Sequence, residues 1–148
     1  GGGGGGGSPE QVMRARFSAY VKNLPAFVVS STHPESTNMP QKGTLEENKA
    51  KLLKDAETTM RTVVFRSFNL SRVTGGEVSD KGAQEDAFVT YEVTYTGVGK
   101  KNSKRKQTIA ERSRLRKGPG GEWHFMDAMV LNAGNGPGAG GSNAENNR

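Results

Sequence analysis

The chain has no cysteine and only two histidines, His33 and His124. Without thiols it can form no disulfide and no cysteine-ligated zinc or iron–sulfur site. Two imidazoles do not make a His-rich metal centre either, so no metal and no cofactor are expected. Long apolar runs are also missing: none approaches the roughly 18 residues that a membrane-spanning helix requires. No secretory signal pattern or other targeting peptide is visible. The expected setting is soluble and intracellular, in the cytosol or an organelle, with no membrane partner.

Apolar residues fail at both ends as well. Residues 1–7 are all glycine, and 132–148 is almost entirely Gly, Asn, Ala, Pro and Ser. Such stretches bury too little apolar surface to offset their ordering entropy. They are expected to be a flexible linker and a disordered tail. The remainder, 8–131, is expected to be one domain with one modest core.

What the chain has in excess is local positive charge. Its net charge is +6, yet the segment 100–117 alone holds nine Lys/Arg against one acid, Glu111. The remainder is slightly acidic. Lys100, Lys101, Lys104, Arg105 and Lys106 belong to a stretch that reads as a hairpin loop. Arg112, Arg114 and Arg116 alternate along the following strand and share its outward face. Such a surface can bind RNA or another polyanion; it also serves as a solvated face that protects a sheet.

Periodicity divides the domain into helices first and strands afterwards. Ser8, Pro9 and Gln11 form a capping-box start. Met13, Arg16, Phe17, Tyr20 and Leu24 then fall on one helical stripe, and Asn23 marks the stop. A short helix follows over 25–31 and ends before Pro34. Thr44 and Glu47 open a third helix with another capping box, carried by Leu45, Leu52, Leu53, Ala56 and Met60 to about residue 60. The period then shortens to two. Strands are expected over 62–73, 87–95, 106–116 and 122–131, separated by glycine-rich turns. Tyr91, Glu111, Trp123, Phe125 and Asp127 fall on the inward faces. No helix separates the strands, so they pair antiparallel, and helices on one side of such a sheet make an α+β fold.

Four strings carry a resemblance. They are PEQVMRARFSAYV at 9–21, FVVSSTHP at 27–34, ERSRL at 111–115 and GEWHFMDA at 121–128. In this order they resemble the YchJ-like domains of the nuclear transport factor 2-like superfamily. The resemblance implies an α+β cone, three N-terminal helices on a curved antiparallel sheet of about four strands, with a cone-shaped pocket between the layers. Those domains often follow a cysteine-rich SEC-C zinc motif. This chain has no cysteine, so no role through that motif carries over. It also departs from the family at Phe65 and Thr32, where tryptophan is frequent.

The inward polar residues are the candidates for chemistry. Glu111, among apolar neighbours, serves either as a general base or ligand-orienting group, or as an ion-pair partner of Arg16 that ties helix to sheet. Asp127 can form a carboxylate pair with Glu111 or bond backbone amides. His33 can act as a base near neutral pH or bond the carbonyls at a helix end. Tyr20 and Tyr91 are either phenolic donors or core. The expected ligand pocket is Arg16, Tyr20, Tyr91, Glu111, Trp123 and Asp127. The functions that fit are a module binding a small ligand or a protein partner, a small isomerase-, hydratase- or hydrolase-like acid–base enzyme using Glu111 or Asp127, or a polyanion-binding domain.

Overall fold

The computed structural model describes residues 7–97 and 105–133. The glycine linker up to residue 6, the tail from 134 and the basic residues Lys100, Lys101 and Lys104 lie outside the described residues.

Ser8 starts helix α1 (Pro9–Lys22). Its hydroxyl accepts from the Gln11 amide at 3.2 Å, and the Gln11 side chain accepts from the Ser8 amide at 2.9 Å. Asn23 ends the helix in the left-handed conformation, at φ 59°, which asparagine tolerates better than most residues. Pro25 opens α2 (Pro25–Ser30). The reciprocal Thr44–Glu47 box opens α3 (Leu45–Thr62), which runs directly into β1 (Val63–Gly75). Strands β2 (Ala87–Gly97), β3 (Gln107–Lys117) and β4 (Trp123–Ala133) complete an antiparallel meander in the order β1-β2-β3-β4. β4 continues two residues past the expected domain end at Leu131. Gly75, at φ 74°, closes β1 where a Cβ would lie 2.5 Å from the Asp86 carbonyl; only glycine fits there. Among the described residues no helix is long and apolar enough to cross a membrane.

The main core joins Met13 of α1 to Val89, Tyr91, Val93, Ile109, Leu115 and Phe125 of the sheet. A smaller cluster of Ala19, Val28 and Ala56 packs the three helices together. Leu24, expected on the buried stripe of α1, is half exposed, because the helix has already ended at Asn23.

The segment 31–39 straps the helical layer to β4. Phe125 donates to the Ser31 carbonyl at 2.8 Å and accepts from the His33 amide at 2.9 Å, and Thr37 donates to the Met126 carbonyl at 3.2 Å. His33 is buried. Its Nδ1 accepts from the Glu35 amide at 3.0 Å, so the ring proton sits on Nε2, and the ring also bonds the Lys117 backbone. The imidazole therefore closes the turn after α2 and does not bond that helix's own carbonyls. Burial holds its pKa below the ordinary value, with His124 and Arg116 acting in the same direction and the Lys117 backbone bond and Glu35 opposing them. A histidine with a depressed folded pKa adds stability that is complete above its unfolded pKa and is lost as pH falls through the folded value. Wild type is therefore expected to exceed His33→Asn by about 1 kcal/mol at pH 7.5, the worth of one buried hydrogen bond. The gap should close by pH 5, as read from urea midpoints at both pH values.

Candidate functional site

Between α1 and the inward face of the sheet lies a cavity of about 430 Å³, within the roughly 300–1,000 Å³ of small-molecule sites. Its walls are largely aromatic. Phe17 and Phe68 have ring centroids 5.3 Å apart, Phe68 and Tyr91 4.8 Å, and Tyr20 and Phe65 5.1 Å. These contacts link α1, β1 and β2, and rings in mutual contact keep their rotamers. Ile109, Val93, Met13 and Ala128 fill the spaces between them.

Glu111 and Tyr91 are directly opposite one another on β3 and β2. The Tyr91 hydroxyl donates to Glu111 Oε1 at 2.8 Å, and Ser113 Oγ lies 2.8 Å from the same phenolic oxygen. With Glu111 ionised, the protons run Ser113 to Tyr91 to Glu111; Tyr91 and Glu111 line the cavity, and the fully buried Ser113 stands behind them. Burial raises the Glu111 pKa, and the Tyr91 hydrogen bond only partly offsets this. Burial, and then the neighbouring Glu111, push the Tyr91 phenol well above its ordinary value.

Arg16 is buried and lines the same cavity, but it is not paired with Glu111 as expected. No carboxylate lies within 4.0 Å of its guanidinium among the described residues. Nη1 instead donates to the Val28 carbonyl at 3.1 Å, Ser31 Oγ at 2.8 Å and Thr32 Oγ1 at 3.0 Å. The Arg16 Cζ sits over the Phe125 ring, 4.3 Å from its centroid. Burial lowers its pKa. The reason for the missing ion pair is register: Glu111 already has a cross-strand partner in Tyr91, and Arg16 is drawn to the carbonyl end of α2.

Tyr20 completes the expected residues that line the cavity, whereas Trp123 and Asp127 do not line it. Trp123 pairs with Lys117 at the far end of the β3–β4 ladder and packs beside Gly76, with Lys117 Nζ 5.3 Å from its ring. Asp127 points the other way. Leu115 pairs with Phe125, but Arg114 pairs with Asp127, so Met126 is an extra residue in β4. A bulge of one residue moves every later side chain to the opposite face. Phe125 faces the core, whereas Asp127 meets Arg114 on the outer face through Nε–Oδ1 at 3.2 Å and Nη2–Oδ2 at 2.6 Å. Ala128 takes the inward position expected of Asp127. His33 does not line the cavity either.

The outward arginines are not a free stripe. Arg116 makes two 3.0 Å bonds to Asp86 and one of 3.3 Å to Glu35, and Arg114 reaches Asp86 at 3.5 Å as well as Asp127. The Arg116 hydrogen bond is the main cause that holds the Asp86 carboxyl below its ordinary range. Two arginines thus answer three carboxylates. Arg112 packs on Phe88 and Met129, while Arg105 and Lys106 are exposed. Sequence reasoning missed the acids because Asp86 and Glu35 lie outside the strand pattern and Asp127 was assigned to the wrong face. It also missed Ser113, although a small hydroxyl two residues from Glu111 on the inward face was a usable signal. Asn38, which lines the cavity from the strap, gave none.

Three helices on one face of a four-stranded antiparallel meander, with a cavity between the layers, define a nuclear transport factor 2-like α+β domain. More particularly, the chain belongs to the YchJ family: residues 8–128 match its domain described as "YchJ, middle NTF2-like domain". A SEC-C motif-containing protein from Rhodopseudomonas palustris is similar in structure, with a TM-score of 0.61 at 20% identity over 84% of this chain and 80% of that one. A ketosteroid isomerase-like protein from Erwinia carotovora atroseptica gives 0.58 at 18% identity over 82% and 90%. A conserved protein from Planctomyces limnophilus gives 0.53 at 14% identity over 83% and 93%. No curated protein is similar enough in sequence to match. Domains of this fold often bind ligands or act as small enzymes.

A glutamate whose folded pKa is raised adds stability only while protonated, and that contribution is lost as pH rises through the folded value. Glu111→Gln removes the buried ionisation and keeps an acceptor for Tyr91. Its melting temperature is expected to exceed wild type by about 3 °C at pH 8 and to match it at pH 4, as read by calorimetry.

Proposed function

We propose that this domain binds a small, largely apolar molecule in the cavity between α1 and the sheet, with Glu111 and Tyr91 orienting a polar group on it. The observation that carries this reading is the open, aromatic-walled cavity with a hydrogen-bonded Glu111–Tyr91 pair on one wall, backed by the buried Ser113. A side chain retained there for packing alone would not be an acid, because burying one costs stability. Stability surrendered at one spot of a core is a usual mark of a binding site.

Binding is favoured over acid–base catalysis by the placement of Asp127. A carboxylate pair needs two acids on one void, and Glu111 is the only acid among the described residues that line this one. Polyanion binding is disfavoured because Arg114 and Arg116 are already neutralised by carboxylates.

The uncharged fluorophore N-phenyl-1-naphthylamine tests the reading. Its emission is expected to rise on binding to wild type. Ala128→Trp, which fills the cavity from β4, is expected to weaken that binding by about tenfold or more, a loss of about 1.4 kcal/mol, while far-UV circular dichroism stays unchanged. No enhancement with wild type, or equal affinity for a folded Ala128→Trp, overturns the proposal.

A further inference from the structure

The guanidinium of Arg16 is only partly used by the protein. Of its five N–H groups, the two on Nη1 share three neutral oxygens, and Nε and Nη2 have no acceptor among the described residues. Every fully enclosed side-chain nitrogen or oxygen in the described residues has a partner. Nε and Nη2 are therefore not fully enclosed. They keep the small accessible surface left to a residue that is only 6% exposed, and the surface Arg16 lines belongs to cavities. One is the 430 Å³ chamber. Another, of about 220 Å³, also touches Tyr20, Thr32, Asn38 and Thr59.

A buried cation without a counter-ion is costly. Hydroxyls, a carbonyl and an aromatic face lower that cost without cancelling the charge. The free edge of a guanidinium is a planar fork that fits a carboxylate through two parallel N–H···O bonds. Asp55 also lines the smaller chamber, from the exposed side of α3, so an anion is disfavoured on that side. Glu111 disfavours one near Tyr91. The Arg16 end of the aromatic chamber, where no carboxylate lies within 4.0 Å of the guanidinium among the described residues, is free of that repulsion.

We infer that the ligand of this cavity is an apolar acid: a ring-sized hydrophobic body whose carboxylate is held by the free edge of Arg16. This rests on the binding reading above and names the class of ligand. The Glu111–Tyr91 pair then faces the uncharged part of the molecule, where it accepts from a hydroxyl or an N–H.

Matched probes separate the two levels of the claim. 2-Naphthoate and 2-naphthamide share a ring system and differ in charge; each is used to displace N-phenyl-1-naphthylamine. Wild type is expected to bind the acid at least about tenfold more tightly than the amide, as a charge-assisted bond should provide. Arg16→Gln is expected to bring that ratio near one. Arg16 also holds α2; if the variant does not fold, wild type labelled with ¹⁵N-arginine gives the same reading. Naphthoate should shift the Arg16 Nε–Hε resonance, and naphthamide should leave it in place. Equal affinities for acid and amide, with the neutral fluorophore still bound, overturn the acid class and leave the pocket standing. An acid preference that leaves the Arg16 resonance unmoved overturns the assignment to Arg16. Failure of every probe to bind overturns the pocket itself.

Discussion

Arg16 Cζ lies 4.3 Å from the centre of the Phe125 ring, and its Nη1 holds the last turn of α2 through Val28, Ser31 and Thr32. The backbone of the same Phe125 bonds Ser31 and His33. One side chain and one strand residue thus join α1, α2, the strap and β4. A desolvated cation–π contact is worth about 2 kcal/mol, and hydrogen bonds from a charged donor about 1.5–3 kcal/mol each. These gains offset the several kcal/mol that a buried ion costs. They also set the geometry: with Nη1 directed to α2, Nε and Nη2 are left without an acceptor among the described residues.

The opposite wall obeys the same constraint with the sign reversed. Glu111 is an acid among apolar neighbours, and its register partner Tyr91 supplies the one hydrogen bond it has within the described residues. Arg16 and Glu111 are bonded to separate partners, so neither neutralises the other. A domain selected only for stability would have closed that pair or replaced both residues. Keeping a cation and an acid apart on the walls of one void gives it two unlike ends, and it is this polarity, more than its volume, on which the proposed selective binding rests.

The outer face shows how far a strand pattern can be trusted. Alternation holds through the middle of β2 and β3: Val89, Tyr91, Val93, Ile109, Ser113 and Leu115 are all buried. Along β4 it held as far as Phe125 and failed at Asp127, because Met126 is an added residue whose carbonyl is taken by the strap through Thr37 and Ser36. The same bulge that removed Asp127 from the cavity delivered it to Arg114. One residue of register thus moves Asp127 from the expected pair with Glu111 to Arg114, while Arg116 is met independently by Asp86 and Glu35.

Some features were legible because their causes are local. Both capping boxes, the Asn23 stop, the change of period at β1 and the inward position of Glu111 depend on residues within a few positions of one another, and the sequence by itself determined them. So did the excess of charge between 100 and 117, although not its use. The partners were decided only in the tertiary structure. Whether Glu111 faced Arg16 or Tyr91, whether Arg114 met solvent or Asp127, and whether His33 capped a helix or closed a turn depended on strand register and on a strap about ninety residues away from β4 in the chain. Hydrogen bonds and ion pairs act over a few ångströms, and a shift of one residue in a strand turns a side chain to the other face of the sheet. The sequence therefore specified which polar groups had to be satisfied inside this domain, and packing chose what satisfies them.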